Sequence, residues 1–178
     1  MKKLLFVATA VFAFGFTNAQ ETSFGAKAGL NMSNFTGDSE TDAKIGFHVG
    51  VFAEIGITDK FAVQPELLYS ALGAKDDNAN YDSNYLLVPI MAKFYATEQF
   101  SLEVGPQVGF LMSAKYDGED IKDLYNSTDF GLNFGAGYNV SENINIGVRY
   151  SLGLSNVVDV PGADVKTSNI ALGLGFKF

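Results

Sequence analysis

At 178 residues the chain is long enough for one domain and short for two. It has no cysteine, which excludes disulfides, thiolate metal sites and a lipid-modified N-terminal cysteine. Twenty acidic residues against twelve basic ones disfavour nucleic acid as a partner.

The first nineteen residues read as a secretory signal peptide. Lys2 and Lys3 form a positive start, and Leu4 to Phe16 is an apolar run broken only by Thr9 and Gly15. Thr17-Asn18-Ala19 then suits cleavage before Gln20. The apolar run is too short for a spanning helix, and nothing after it reaches the ~18–20 residues such a helix needs. Cleavage removes two lysines and no acid, leaving ten basic against twenty acidic residues and a net charge of −10. Residues 20–178 are then expected to form a single domain.

From Glu21 onward the side chains alternate with period two, the signature of strands. The first strand sets Phe24, Ala26, Ala28, Leu30 and Met32 against Gly25, Lys27, Gly29 and Asn31. The second sets Ile45, Phe47, Val49, Val51, Ala53, Ile55 and Ile57 against Gly46, His48, Gly50, Phe52, Glu54 and Gly56. The third carries Phe61 to Tyr69 against Gln64, Glu66, Leu68 and Ser70. The fourth carries Leu86 to Phe94, with Met91 and Lys93 opposite. The fifth runs from Phe100 to Met112 against Glu103, Gly105, Gln107 and Gly109. The sixth runs from Phe130 to Val140 against Asp129, Gly131, Asn133, Gly135 and Gly137. The seventh runs from Ile144 to Leu154 against Gly147, Arg149 and Gly153. The last runs from Ile170 to Phe178 against Gly173, Gly175 and Lys177.

These are eight strands of nine to thirteen residues. A tilted membrane-spanning strand needs ~9–11, whereas soluble strands cluster near ~5–6. Short polar turns at 58–60, 97–99 and 141–143 alternate with longer acidic segments near 33–43, 73–84, 114–127 and 156–167. Short turns on one rim and long loops on the other are the plan of an outer-membrane barrel. An even strand number puts both mature termini on the short-turn side, which is periplasmic in that plan.

The two faces decide between a membrane barrel and its rival, a soluble lipocalin-like barrel. No apolar-face position is charged, and fourteen of the nineteen glycines lie on the opposite face. A Gly-rich, charged face makes a poor wet surface, because Gly weakens strands. It suits the inside of a narrow, strongly curved barrel whose closure removes unpaired edges. The predicted fold is therefore all-β, an eight-stranded antiparallel up-and-down transmembrane β-barrel. Phe24, Phe61, Phe94, Phe100, Tyr138 and Phe178 fall at the short-turn ends as an aromatic girdle. The terminal run to Phe178 resembles the signal read by the outer-membrane assembly machinery. Pro65, Pro89 and Pro106 cannot donate to a ladder, so a bulge or local break is expected at each.

Inward ionisable residues are Lys27, His48, Glu54, Glu66, Lys93, Glu103, Asp129, Arg149 and Lys177, with four cations balancing four anions when His48 is set aside. Balance is expected where charge is buried in a narrow lumen. A symmetric hairpin at 97–99 sets Lys93 opposite Glu103. Lys27, Glu54, Glu66, Lys93, Glu103 and Arg149 lie at similar depth and are expected to form one layer, a salt-bridged network closing the lumen. Separate contacts with lumenal water are the alternative.

No constellation for chemistry emerges. His48 points inward with no Ser or Asp fixed beside it, and no outward-facing candidate for a lipid-modifying enzyme appears. The Gly-x-Gly runs follow strand alternation and carry no nucleotide signal. The acidic loops lack the EF-hand spacing, so neither a metal nor a cofactor is expected.

Tyr85-Leu86-Leu87-Val88-Pro89-Ile90, the segment from Gly105-Pro106-Gln107 to Lys115, and Asp129-Phe130-Gly131 followed by Gly135-Ala136-Gly137-Tyr138 resemble the PorT-like outer-membrane β-barrel proteins of Bacteroidetes-type bacteria. That resemblance spans the mature chain and rests on structural residues. It implies an outer-membrane barrel whose motifs carry no activity. The expected role is a non-enzymatic envelope structural or interaction protein, in contact with outer-membrane lipid and lipopolysaccharide and with an envelope protein as a possible partner. The alternatives are a narrow channel or a subunit of a transport or secretion complex, and then a lipid-modifying enzyme. The mature protein purified from membranes is predicted to begin at Gln20, which intact-mass measurement checks.

Overall fold

The computed structural model describes residues 22–37, 41–76, 79–158 and 164–178. The signal peptide expected at 1–19 lies outside them, as do Asp38, Glu40, Asp77 and Asp159 of the acidic loops. Eight long strands form: β1 Thr22–Gly37, β2 Asp42–Thr58, β3 Phe61–Asp76, β4 Ala79–Tyr95, β5 Phe100–Tyr116, β6 Thr128–Asn139, β7 Ile144–Gly153 and β8 Val165–Lys177. Each pairs antiparallel with the next. β8 pairs with β1 from Gly25↔Lys177 to Gly37↔Val165, so the sheet closes into a barrel.

The barrel is inside out relative to a soluble one. Leu30, Phe47, Leu102, Phe130 and Leu172 stand exposed on its outer face, while Glu66, Lys93, Asn31 and Asn133 are buried within. All six girdle aromatics are exposed at the short-turn rim. The amide of Phe178 donates to the carbonyl of Phe24, which keeps the two ends of the barrel chain side by side.

β1 to β5 run 16 or 17 residues, longer than the nine to thirteen expected. The segments expected as loops near 33–43 and 73–84 are largely strand. The reason is that a ladder needs backbone partners, not apolar side chains. Beyond the apolar band Ser33 continues it, pairing with Lys44 on β2 and with Asn169 on β8. Seventeen residues at ~3.3 Å each, tilted by ~45°, rise about 40 Å against an apolar band of about 25 Å. β6 and β7, with 12 and 10 residues, stop lower, so the long-loop rim is lopsided. The segment after β5 turns back at Asp117-Gly118, both in the left-handed region as a tight hairpin requires. A two-residue strand, Glu119–Asp120, then pairs with Lys115 and Tyr116.

The prolines interrupt pairing without shifting it. Pairing lapses at Gln64–Pro65 against Ala53–Glu54, at Glu66–Leu67 against Val88–Pro89, and at Ile90–Met91 against Gly105–Pro106. It resumes in the same register each time. The break expected at each proline is present, and no bulge accompanies it. Register shifts lie elsewhere, between Ala43 and His48, at Gly56/Thr58, and at Asn84/Tyr85 where β5 takes one extra residue.

Inward glycines line up across strands. Gly29, Gly173, Gly147 and Gly137 are direct partners in a row over β1, β8, β7 and β6. A Cβ on Gly29 would overlap the Leu172 carbonyl oxygen and lie 2.6 Å from Cε1 of His48. Gly29→Val is therefore predicted to block barrel closure. The folded, heat-modifiable band on cold electrophoresis is expected to disappear, and outward Ala92→Val is expected to keep it.

Candidate functional site

Strand alternation points one residue in two into the lumen, and register sets which of them meet. In the hairpin of β4 and β5, Lys93 and Glu103 are Cα partners, and their charged atoms stand 3.6 Å apart. Lys93 also donates to Glu54 at 2.6 Å and to Gln64 at 3.2 Å. Gln64 in turn donates to Glu66 at 2.6 Å.

Glu66 is the hub and is fully buried. Arg149 grips it with a two-pronged contact, Nη1 and Nη2 each 2.8 Å from a carboxylate oxygen. Such bidentate pairing is the strong, directional form of an ion pair. Arg149 Nη2 reaches Glu103 at 3.0 Å, and Lys27 reaches Glu66 at 2.8 Å. The six residues Lys27, Glu54, Glu66, Lys93, Glu103 and Arg149 thus form one connected layer, with Gln64 as a neutral link. Lys177 joins from the short-turn side at 2.5 Å from Glu54.

Asp129 stands apart. Its carboxylate accepts from Ser155 at 2.6 Å and from Thr167 at 3.2 Å, nearer the long-loop rim. The layer therefore holds four cations, Lys27, Lys93, Arg149 and Lys177, against three carboxylates. The four-to-four balance counted along the chain is reached only over the whole lumen. His48 is also outside the layer, with Nδ1 2.9 Å from Oδ1 of Asn31.

An apolar filling of the lumen has no counterpart among the sequence expectations. Leu68, Leu72, Tyr85, Leu87, Leu111 and Ala114 form a buried cluster inside the barrel, on the long-loop side of the charges. Ile121 and Tyr125, from the segment after β5, pack onto it. Phe35, Ala74 and Val157 form a neighbouring cluster that also takes Tyr125. The connections after β5 and β7 are tied over this mouth. Asn126 donates from its amide to Val157 O and from its side chain to Asn156 O, both at 2.9 Å. Burial, with Tyr81 close by, pushes the Tyr125 phenol up to about 12, so it remains neutral at the cap. The signal for the plug was in the sequence. Leu67-Leu68, Leu86-Leu87 and Phe110-Leu111 are apolar on both parities, which requires apolar surroundings inside as well as out.

Toward the short turns the lumen opens into a vestibule of about 570 Å³. Glu54 and Lys177 line it, with Asp59, Glu98 and Glu142 from the three short turns around them. Among the described residues no group of three or more His, Asp or Glu is placed to hold a metal ion.

Over residues 18–159 the chain matches the family described as outer membrane protein beta-barrel domain. The chain belongs to that family. An outer-membrane location follows from membership, and the exposed apolar face is the surface that meets hydrocarbon. No curated protein matches the chain. Among solved structures it is similar to Neisserial surface protein A, at 18% identity and a TM-score of 0.63, over 89% of this chain and 99% of that one. It is also similar to Ail, the attachment invasion locus protein of Yersinia pestis, solved with the heparin analogue sucrose octasulfate. There the identity is 21% and the TM-score 0.56, over 89% of this chain and 99% of Ail. Identities this low establish a shared fold alone.

In this outer-membrane barrel Glu66 neutralises two largely buried cations at once. Glu66→Leu leaves Lys27 and Arg149 short of a carboxylate, and breaking such a buried network costs about 3–5 kcal/mol. A loss of that size is expected in reversible urea unfolding of the barrel in micelles or bilayers. Substitution of exposed Glu142 is expected to change stability little.

Proposed function

We propose that the protein is a non-enzymatic, non-conducting outer-membrane barrel that acts as an envelope structural or interaction protein through its long-loop rim. The observation carrying this reading is double closure. The ionic layer and the apolar plug occupy the lumen in series, the layer made of side chains from strands on opposite sides of the barrel and the plug of side chains from adjacent β3, β4 and β5 with Ile121 and Tyr125 of the segment that follows. An eight-stranded barrel has an interior just wide enough for its own side chains to fill, and here they do. His48 is buried in the lumen and bonded to Asn31, away from any lipid substrate. The resemblance to PorT-like proteins supports membership of that narrower group.

The proposed orientation has both termini and the short turns in the periplasm. Phe24 and Phe178 then share the rim from which the assembly machinery engages the terminal strand. Outer-membrane lipid and lipopolysaccharide surround the wall. Asp117, Glu119, Asp120 and Asp123 stand exposed outside. That rim favours a basic envelope partner. It disfavours a polyanion such as the sucrose octasulfate bound by Ail.

Reconstitution into planar bilayers tests the reading. Silence is expected, both for the native chain and for Glu66→Leu, because the apolar plug remains when the ionic layer is broken. Steady single-channel currents from the native chain would favour the narrow channel or transport subunit instead. A deletion strain is expected to keep its lipid A profile, and an altered profile would favour a lipid-modifying enzyme.

A further inference from the structure

Between the ionic layer and the apolar plug lies a small internal chamber of about 40 Å³. Lys27, Arg149 and Glu103 line it on one side, Leu68 and Leu87 on the other, and His48 and Asn169 from the wall. Two of these lining groups are strong donors with protons to spare. The Lys27 ammonium has three N–H groups and one hydrogen-bond partner among the described residues, Glu66. Arg149 has five N–H groups, and its contacts with Glu66 and Glu103 use three.

The chamber also contains acceptors. Oδ1 of Asn169 has no partner, although the residue is only 7% exposed. Its orientation is set by its amide, which faces Oδ1 of Asn31. Asn31 spends its own amide on Phe47 O, Ser70 Oγ and Ala71 O, so its Oδ1 must accept from His48 Nδ1–H. Neutral His48 then presents Nε2 as a lone pair.

We infer that this chamber is a binding site for ordered water inside the barrel, holding about three molecules at the ~10–15 Å³ each requires. The occupant must accept from Lys27 and Arg149 and donate to Asn169 and His48. An anion fails the two acceptors, and a cation meets two positive charges. A small neutral molecule that both donates and accepts satisfies all four, and in this volume that molecule is water. The ionic layer is therefore wet on both sides, from the vestibule and from the chamber, and the apolar plug is the dry seal. This inference rests on the closed-lumen reading and assigns the lumen its layers.

The test is a crystal structure of the intact barrel at better than about 2 Å, grown with bromide in place of chloride. Two or three water peaks are expected within hydrogen-bond reach of Lys27 Nζ, Arg149, Asn169 Oδ1 and His48 Nε2, with no anomalous bromine signal. The Asn169→Leu variant removes an acceptor and fills space, and is expected to lose at least one of those waters while His48 stays on Asn31. An empty chamber overturns the inference, and so does a bromine peak there. Silent bilayers with an empty chamber reject the water site alone, and conducting bilayers with the waters present reject the closed-lumen reading alone.

Discussion

Hydrocarbon offers a peptide group nothing to bond with, and every other feature of this barrel answers to that fact. An unpaired N–H or C=O costs several kcal/mol in the bilayer core, so the sheet has to close, and β8 returns to β1. Closure with eight strands leaves a tight interior, and a tight interior selects the residues that fit. Glycines occupy the inner positions where neighbouring backbones approach most closely. Long polar side chains fill the space the glycines leave. The apolar residues, excluded from most of the lumen, take the outer wall.

Two materials fill the lumen, and they solve different problems. The ionic layer lies where strands from opposite sides present Lys, Arg and Glu at the same depth. Its pairs compensate a desolvation cost that would be prohibitive for any member alone. Its worth lies in mutual neutralisation and fixed geometry more than in net stability. The apolar plug needs no partners of specified charge. It resembles an ordinary protein core, with Leu68, Leu87 and Leu111 meeting loop residues Ile121 and Tyr125 at the long-loop end of the barrel.

Legibility in the sequence followed the range of the interaction. Strand number, alternation and the inverted faces are local patterns, and they were readable because each strand repeats them. The opposition of Lys93 and Glu103 follows from a short hairpin. The grip of Arg149 on Glu66 joins residues 83 apart, and that of Lys93 on Glu54 joins residues 39 apart. Shared depth suggested a common layer, but the individual partners depend on barrel closure and side-chain reach. Asp129 is inward by alternation and lies outside the layer by depth, and the structure places it so, on Ser155 and Thr167. Strand ends are harder to read, because regular apolar alternation fades after Met32 and Tyr69 while the ladder continues through Ser33 and Leu72. The loop plug escaped for a different reason. Ile121 and Tyr125 sit in an irregular segment with no period to betray which way they point.

The unequal heights of the wall give the molecule a compass bearing. Among the described residues five strands rise well clear of the bilayer and two stop short, so the strand wall stands taller on one side and the membrane plane acquires a front and a back. A partner that held the tall side would fix the barrel's rotation as well as its position. Two barrels meeting by their low sides would approach more closely above the membrane than two meeting by their tall ones. In a crowded envelope, where proteins drift and turn in two dimensions, such a molecule behaves less like a post than like a vane.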